Sequence, residues 1–226
     1  MNHKPTDIHP VSFEYGFLPV EMRMPLKFGG ESVSHVNCLR VAAEVVDSAG
    51  RRAEGWGETP LSVTWAWPSA TLSYDERYEA MVAFCKFTAQ AFVEVNESGH
   101  PMEIGHVFLA ERLPLVLEAF NKSHSTEPIP YLAALIVVSA FDIALHDAYG
   151  NLHQIDIYDT YTSEYMTQDL SHYFRSSPEA DRFQGLFPSD FLEEQPSGKV
   201  PVWHLVGGLD PLEASDKKEN DPKDGY

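Results

Sequence analysis

Hydrophobic and polar residues alternate along the first third of the chain, which is the pattern of half-buried β-strands. The clearest stretch runs from Val36 to Val46 and is followed by DSAGRR, a turn in which Gly50 is available for a positive φ angle. A second strand then passes through Ala53 into GWGE, so that the two strands form a hairpin. The earlier segment Ser12–Leu18 is a candidate for a third antiparallel strand.

The pattern changes to a helical period in the middle of the chain. Ser73 and Glu76 have the spacing of a capping box, which predicts the start of a helix. A stripe of residues three or four positions apart then predicts one buried helix face, and it comprises Tyr74, Tyr78, Met81, Cys85, Thr88 and Phe92. We expect this helix to end at ESGHP, with Gly99 near the C-cap and Pro101 beyond it.

Two more helical stretches follow. The first covers Glu103–Phe120, where Pro114 is expected to kink or split the helix. The second begins at Pro130, a favoured first helical position, continues from Tyr131 to Tyr149 and stops at Gly150. Because it is apolar on nearly all sides, we expect it to be the most buried helix. Its apolar run is too short to span a bilayer.

The last third of the chain has weak periodicity. Residues 153–199 form an irregular connecting segment, KVPVWHLVGG is typical of a short apolar strand with a Gly-Gly turn, and the residues after Gly208 are polar. Three strands, then helices, then a new strand predict an α+β fold. The predicted units are therefore residues 1–152 with the sheet and helices, the connecting segment 153–199, and the new strand with a polar tail at 200–226.

Composition narrows the classes of partner. The formal charge is −18, from 34 acidic and 16 basic residues, which argues against a nucleic-acid partner and against an anionic membrane surface. The N-terminal MNHKPTDIHP is polar and contains no secretory signal. Cys38 and Cys85 are the two cysteines, too few for a disulfide framework, and we interpret them as reduced thiols of a cytoplasmic protein.

Complete catalytic motifs are missing from the sequence, which contains no G-x-S-x-G, P-loop, H-E-x-x-H or C-x-x-C. Asp142 and His146 are four residues apart on one helix face, within reach of a common metal. A capping or interhelical hydrogen-bond role is favoured, because no third ligand is evident nearby. Asp147 is most simply a buried polar anchor to a neighbouring segment.

The stretch GWGETPLSVTWAWP places Trp56, Trp65 and Trp67 close together with Glu58 and Thr59. One interpretation is an aromatic cluster under a loop. The other is a ligand-facing loop, since aromatic walls with a few polar groups are typical of small-molecule pockets. In that interpretation the glycines let the end of the strand bend sharply, so that Trp56 faces a pocket mouth.

Four stretches together resemble the mandelate racemase and muconate lactonizing enzyme branch of the enolase superfamily. They are RMPLKFGG at 23–30, GWGETPL at 55–61, VVSAFDIALHDAYGNL at 137–152 and VPVWHLVGG at 200–208. The resemblance implies a capping domain at 1–152, made of a three-stranded antiparallel sheet and a helical bundle. It also implies that residues 200–208 are the first strand of a TIM-type barrel.

In that family the barrel carries the chemistry and two capping loops select the substrate. Barrel lysines, or a lysine and a histidine, act as bases, and three carboxylates hold Mg²⁺, which stabilises the enediolate formed when the proton α to a carboxylate is removed. The resemblance implies a small carboxylate substrate. It gives Lys27 and Phe28 on the first loop, and Trp56 and Thr59 on the second, as candidate substrate-binding residues.

The length of the chain departs from this pattern, because such a barrel needs about 200 to 250 residues and 27 residues remain from Val200. We expect the catalytic bases and metal ligands to be missing here. The leading hypothesis is the N-terminal portion of a racemase, epimerase or acid-sugar dehydratase acting on α-hydroxy or sugar acids. An alternative is a non-catalytic binding or assembly module, working as a homo-oligomer or beside a separate barrel chain. A third is an unrelated α+β protein whose tryptophan-rich loop binds its own ligand.

Overall fold

The computed structural model describes residues 3–28, 31–95, 97–124, 127–193, 198–203, 211–219 and 221. Among them, the side chains of Met24, Phe28, Glu31 and His124 are left undescribed.

The three predicted strands form one antiparallel sheet in the order β1-β2-β3. They are β1 (Ile8–Phe28), β2 (Glu31–Asp47) and β3 (Arg52–Pro60). The turn between β2 and β3 contains Gly50 at φ 80°, as predicted. The segment predicted as a third strand, Ser12–Leu18, is part of the much longer β1. The strands β1 and β2 continue to pair beyond the end of β3.

Helices fill most of the rest of the described chain up to residue 173. They are α1 (Val63–Ala66), α2 (Tyr74–Glu94), α3 (Pro101–Val107), α4 (Leu113–His124), α5 (Tyr131–His153) and α6 (Leu170–Tyr173). A π-helical turn, Phe108–Arg112, joins α3 to α4. Short 3₁₀ turns cover Ile157–Thr160, Ala180–Phe183, Pro188–Phe191 and Ala214–Asp216.

The core lies between one face of the sheet and the helices α2 and α5. Alternate residues of β2 are fully buried on this face, namely Leu39, Val41, Ala43 and Val45. The apolar stripe predicted for α2 supplies the opposite side, where Met81, Cys85, Thr88 and Phe92 are buried. The predicted capping box is confirmed, since Glu76 N donates to Ser73 Oγ and Ser73 N donates to Glu76 Oε2 at 2.8 Å.

The glycines of GWG allow α5 to lie directly on β3. Gly55 and Gly57 face the helix, and a Cβ on Gly57 would come within 2.7 Å of Ala144 N, while one on Gly55 would come within 2.6 Å of Ala144 O. Neither glycine has a positive φ angle. The prediction of a sharp bend at these glycines is therefore wrong: they provide space for the backbone of a helix, not a special turn.

Side chains of α5 also satisfy the free edge of β3. Asp147 Oδ2 accepts a hydrogen bond from Trp56 N at 2.8 Å, and Asn151 Nδ2 donates to the carbonyl oxygen of Glu54 at 2.9 Å. An unpaired strand edge is otherwise open to other chains. Asp147 is the polar anchor predicted from the sequence, but it is exposed instead of buried, because the edge that it contacts is at the surface.

The end of α2 differs from the prediction. The helix ends at Glu94, and Gly99 is not its C-cap. Gly99 exchanges two backbone hydrogen bonds of 3.1 Å with Ile8, so it extends the start of β1 by an isolated bridge. Pro101 does not simply follow a helix end, because it is the first residue of α3.

The α-helical stretch around Pro114 is interrupted as predicted, because the π-helical turn Phe108–Arg112 separates α3 from α4 just before the proline. The ring of a proline collides with the carbonyl four residues earlier, which here belongs to Ala110. The π-helical turn removes this conflict by widening the helix just before the proline, and Leu113 N bonds to Phe108 O, five residues back. The helical segment therefore begins at Pro101 and runs on to His124.

The long helix α5 is the most buried one, as predicted. Pro130 is its N-cap residue and not its first helical residue, and the helix passes Gly150 to end at His153, since the left-handed residue is Gln154 at φ 54°. The prediction that its apolar run is too short to span a bilayer is wrong by length and composition, because among the described residues α5 is the one helix long and apolar enough to cross a membrane. Its contacts with β2, β3 and α2 make it a core helix of this fold.

Three polar contacts attach the irregular segment after α5, one of them fully buried. Glu103 Oε1 accepts hydrogen bonds from the backbone nitrogens of Thr167 at 2.7 Å and Gln168 at 2.8 Å. His100 Nε2 lies 2.9 Å from Thr160 Oγ1. Burial, followed by the nearby His146 and His153, lowers the pKa of His100 to about 3, so its imidazole is neutral at ordinary pH.

The described part of the predicted barrel strand has no strand structure. Residues 200–203 pair with no other strand in the described chain, and Val200, Val202 and Trp203 are 82%, 88% and 95% exposed. The rest of that prediction, residues 204–208, lies outside the described residues. The division into units at 152/153 and 199/200 stays a prediction.

Candidate functional site

The β1–β2 hairpin projects past the end of the sheet. β3 ends with Pro60 opposite Cys38, while β1 and β2 continue to pair as far as Phe28 and Glu31. A bulge interrupts this projecting part, because residues 22–25 of β1 are accommodated between the pairs Glu21–His35 and Leu26–Val33. The bulge includes Pro25, which has no backbone N–H to give to the ladder.

A cleft of about 230 Å³ lies between this hairpin and the chain that follows β3. Leu26 and Val33 form the hairpin side of the cleft, and Trp65 of α1 forms the other side. Tyr74 closes one end, with its ring 6.1 Å from the ring of His35. The backbone of Leu61 donates to Asn37 O at 2.9 Å, which holds the two sides together. We call this the hairpin cleft.

The first two candidate residues belong to the tip of the hairpin. Lys27 is exposed and follows Leu26, which lines the hairpin cleft. The side chain of Phe28 lies outside the described residues, as do Gly29 and Gly30. Lys27 does not line the hairpin cleft, and successive side chains of a strand point to opposite faces.

The third candidate, Trp56, lies on the face of the sheet opposite to the helices. Its side chain is 54% exposed and borders a shallow depression with Leu18 and Arg40. Arg40 pairs with Glu58 on the neighbouring strand, with Nη2 and Oε2 2.6 Å apart. Trp56 does not line the hairpin cleft.

The fourth candidate, Thr59, points to the core side of the sheet. Its Oγ1 lies 2.7 Å from Ser139 Oγ, and Ser139 Oγ donates to Ile136 O at 2.8 Å. Because Ser139 has a single hydroxyl proton, Thr59 must be the donor to Ser139. Trp56 and Thr59 therefore point to opposite faces of the sheet, and the structure does not bring them together.

The remaining two tryptophans of the motif have different surroundings. Trp67 is buried, and its indole Nε1 donates to Glu127 Oε1 at 2.8 Å. Glu127 also accepts from Thr71 Oγ1 at 2.5 Å and Ser69 Oγ at 2.7 Å, and these three hydrogen bonds lower the pKa of its carboxyl. Trp65 is 53% exposed and faces the hairpin cleft. The sequence motif thus contains one structural and two exposed tryptophans.

None of the described residues that line the hairpin cleft is one of the four candidates, and Trp65 and Tyr74 are the two large aromatic side chains among them. Trp65 was in the tryptophan-rich motif, but the hairpin side of the cleft could not be anticipated without the long extension of β1. Tyr74 was assigned to the buried stripe of α2, and it is the first residue of that stripe, where the helix leaves the core. Among the described residues that line the hairpin cleft, none is a carboxylate, a lysine or an arginine, and His35 is its one histidine.

The residues described here do not fit a Mg²⁺ site. They contain no group of three or more histidine, cysteine, aspartate or glutamate side chains that could hold a metal ion. In the Asp142–His146 pair, His146 Nδ1 is occupied by the backbone carbonyl of Asp142 at 2.9 Å, and it lies 3.8 Å from Asp142 Oδ2. This contact lies within α5, so it is neither the capping nor the interhelical hydrogen bond that the sequence favoured for the pair.

The folds of several solved enzymes are similar to this chain, whereas no family model and no curated protein matches it. The dipeptide epimerase from Enterococcus faecalis V583, complexed with Mg and L-Leu-L-Tyr, has a TM-score of 0.40 and 13% identity over 68% of this chain and 34% of that chain. L-talarate dehydratase from Polaromonas sp. JS666, complexed with Mg and L-glucarate, has a TM-score of 0.38 and 11% identity over 67% of this chain and 34% of the dehydratase chain. A mandelate racemase/muconate lactonizing enzyme-like protein from Rubrobacter xylanophilus has a TM-score of 0.35 and 18% identity over 67% of this chain and 33% of that protein's chain.

The name of the Rubrobacter xylanophilus protein contains the family that the motifs resemble. The chain spans about a third of the length of each of these proteins. The likeness is too distant to give this chain an activity, a substrate or a metal.

Proposed function

We propose that this chain is the N-terminal capping part of an enolase-superfamily protein, and that it selects a small carboxylate substrate. The order and spacing of the four sequence motifs support the family. The hairpin cleft is the observation that carries the selecting role, because this apolar cavity is bordered by Leu26 of the first motif loop and by Leu61, the last residue of the second.

The selection has two parts in this proposal. The apolar walls made by Leu26, Val33 and Trp65 receive the organic group of the substrate. Lys27, the exposed residue that follows Leu26 in β1, reaches round the tip of the hairpin and pairs with a carboxylate. An exposed pair of this kind contributes less than about 1 kcal/mol, so it sets preference between ligands more than total affinity.

The proton-abstraction chemistry is placed outside these 226 residues. The complete protein would act on α-hydroxy or sugar acids as a racemase, epimerase or dehydratase, and Mg²⁺ would supply the charge that stabilises the enediolate. The base and metal ligands would come from a barrel in the same or a separate chain. A cytoplasmic location, with Cys38 and Cys85 as thiols, is part of the same proposal.

Ligand-observed NMR on the purified chain tests the selecting role. Mandelate is compared with 1-phenylethanol, which keeps the ring and lacks the carboxylate. Lys27→Met is expected to weaken mandelate binding up to about fivefold and to leave 1-phenylethanol unchanged, whereas Trp65→Ala weakens both. Lys86→Met, an exposed lysine of α2, is the matched control. Equal binding of both ligands by all variants would contradict the proposal.

The exposed apolar segment at residues 200–203 favours a second candidate, an assembly module. A stretch in which Val202 and Trp203 are almost fully exposed is a typical contact site for another chain. Light scattering coupled to size-exclusion chromatography distinguishes the candidates. A concentration-dependent oligomer that Trp203→Ser converts to monomer supports assembly, and a monomer at all concentrations contradicts it.

A further inference from the structure

A second cavity, of about 220 Å³, lies where the N-terminal segment, α3 and the chain around α6 meet. Asp7, His106, Glu111, Tyr173 and Arg175 are among the residues that line it. None of these residues belongs to the hairpin cleft or to the four candidate residues above. We call it the α3 cavity.

Unsatisfied polar atoms concentrate at this cavity. Five buried side-chain atoms have no hydrogen-bond partner among the described residues, and three of them belong to lining residues: Asp7 Oδ1, His106 Nε2 and Tyr173 OH. A buried polar atom without a partner is costly, and native proteins rarely leave several together. Three such atoms at one cavity indicate that a ligand with several polar hydrogens completes them.

The carboxylate of Asp7 is held in place for such a contact. Asp7 is 7% exposed, and its Oδ2 accepts a hydrogen bond from Lys4 N at 2.8 Å and lies 3.4 Å from His3 Nδ1. Its Oδ1 is the atom that has no partner. The carboxylate is therefore held through one oxygen, while the other is buried without a partner among the described residues.

The charges around the α3 cavity favour a cation. Four lining residues are acids, Asp7, Glu97, Glu103 and Glu111, while Arg175 is the single lysine or arginine among the described lining residues. Burial, His172 and Arg175 all lower the pKa of His106, so its imidazole is neutral at pH 7 and can accept a hydrogen bond at Nε2. An anion would meet this excess of carboxylates and find one fixed positive charge.

The shape of the cavity comes in part from the π-helical turn. Glu111 lies within that turn and borders the cavity, as does its neighbour Ala110. Such turns occur often at functional sites, because they displace side chains from regular helical positions. The described residues contain no metal-binding group of three, so a bare metal ion is not the expected occupant.

We propose that the α3 cavity binds a small organic cation with several N–H donors, of the class of primary diamines and guanidines. One ammonium or guanidinium group donates to Asp7 Oδ1, and the remaining N–H groups donate to His106 Nε2 and Tyr173 OH. The cavity of about 220 Å³ has room for a ligand of this size.

Isothermal titration calorimetry on the full chain tests this proposal with 1,4-diaminobutane. The neutral and anionic probes of equal chain length are 1,4-butanediol and succinate. We expect the diamine to bind at one site, and both other probes to bind at least about tenfold more weakly, as for loss of a charged hydrogen bond. The diamine binding no tighter than the diol would overturn the proposal.

Two variants locate the site. Asp7→Asn keeps an oxygen that can accept from Lys4 N but removes the charge, so we expect the affinity for the diamine to fall at least about tenfold. Tyr173→Phe should lower the affinity for the diamine about threefold. Asp181→Asn, at an exposed position that does not line the cavity, is the matched control. An unchanged affinity in Tyr173→Phe, or equal affinities in the two aspartate variants, would overturn the assignment.

An NMR readout on the unaltered protein keeps the proposal falsifiable if Asp7→Asn fails to fold. Addition of the diamine should shift the ring signals of His106 and leave those of His35, at the hairpin cleft, in place. Signals of His106 that do not move at saturating diamine would show that the ligand does not reach the cavity.

Discussion

The substitution Gly57→Ala is the sharpest test of how the sheet and α5 fit together. A methyl group at this position points at the backbone of the helix, inside ordinary contact distance of Ala140 O and 2.7 Å from Ala144 N. Gly16→Ala is the matched control, because Gly16 lies in β1 of the same sheet and a Cβ there meets nothing within 4 Å.

The size of the effect follows from the displacement that the methyl group requires. Ordinary van der Waals contact begins at 3.4 Å, so α5 would have to move away from β3 by at least about 0.7 Å at Ala144 and by more at Ala140. Neither neighbour is a flexible side chain that can rotate aside. Overpacking of this kind typically costs about 1–3 kcal/mol, and the rigid backbone places Gly57→Ala at the upper end.

Urea unfolding followed by tryptophan fluorescence and circular dichroism measures the difference. We expect Gly57→Ala to lower the free energy of unfolding by about 3 kcal/mol. Gly16→Ala should stay within about 0.5 kcal/mol of the parent protein or stabilise it slightly, since alanine restricts the unfolded chain. Equal stabilities of the two variants would refute the close packing of α5 on β3.

Three other substitutions test single contacts. Burial lowers the pKa of His100 from 6.5 to about 3, so the unfolded chain takes up a proton at a higher pH than the folded protein does. The free energy of unfolding therefore falls as the pH drops below 6.5. In urea titrations, His100→Gln should reduce the loss of stability between pH 6 and pH 5 by about 1 kcal/mol. Glu103→Gln removes a charged acceptor of the Thr167 amide and should speed hydrogen exchange there about tenfold, whereas unchanged protection would contradict its anchoring role. Trp67→Phe loses a buried N–H donor and should cost about 1–3 kcal/mol in thermal or urea unfolding, while Trp56→Phe, half exposed, should stay within about 0.5 kcal/mol.

The sheet and the main helices could be predicted from the sequence because each has a local signal. The alternation in β2, the capping box at Ser73 and the apolar length of α5 are patterns within single elements, and all three are confirmed. The ends of elements were predicted less well. Gly99 has the sequence signature of a helix C-cap, but its backbone pairs with Ile8, a contact between residues far apart in the chain.

The candidate site was harder to predict than the helices and strands, because it depends on contacts between residues far apart in the chain. GWG was interpreted as a bend because glycine tolerates unusual φ angles, but glycine also permits close approach, and the choice depends on Ala140 and Ala144 in a distant helix. The opposite orientations of Trp56 and Thr59 follow from simple alternation along β3. The α3 cavity had no sequence signal, because its lining residues come from separate segments that only the fold brings together.

The most direct test of the proposed function is exchange of the α-proton of mandelate and of sugar acids, followed by ¹H NMR in D₂O with Mg²⁺. We expect the 226-residue chain to exchange no α-proton faster than buffer does. We expect exchange when the chain is joined to, or mixed with, a separately encoded barrel that carries the base lysines and three metal-binding carboxylates. Mg²⁺-dependent exchange by the 226-residue chain alone would contradict the account.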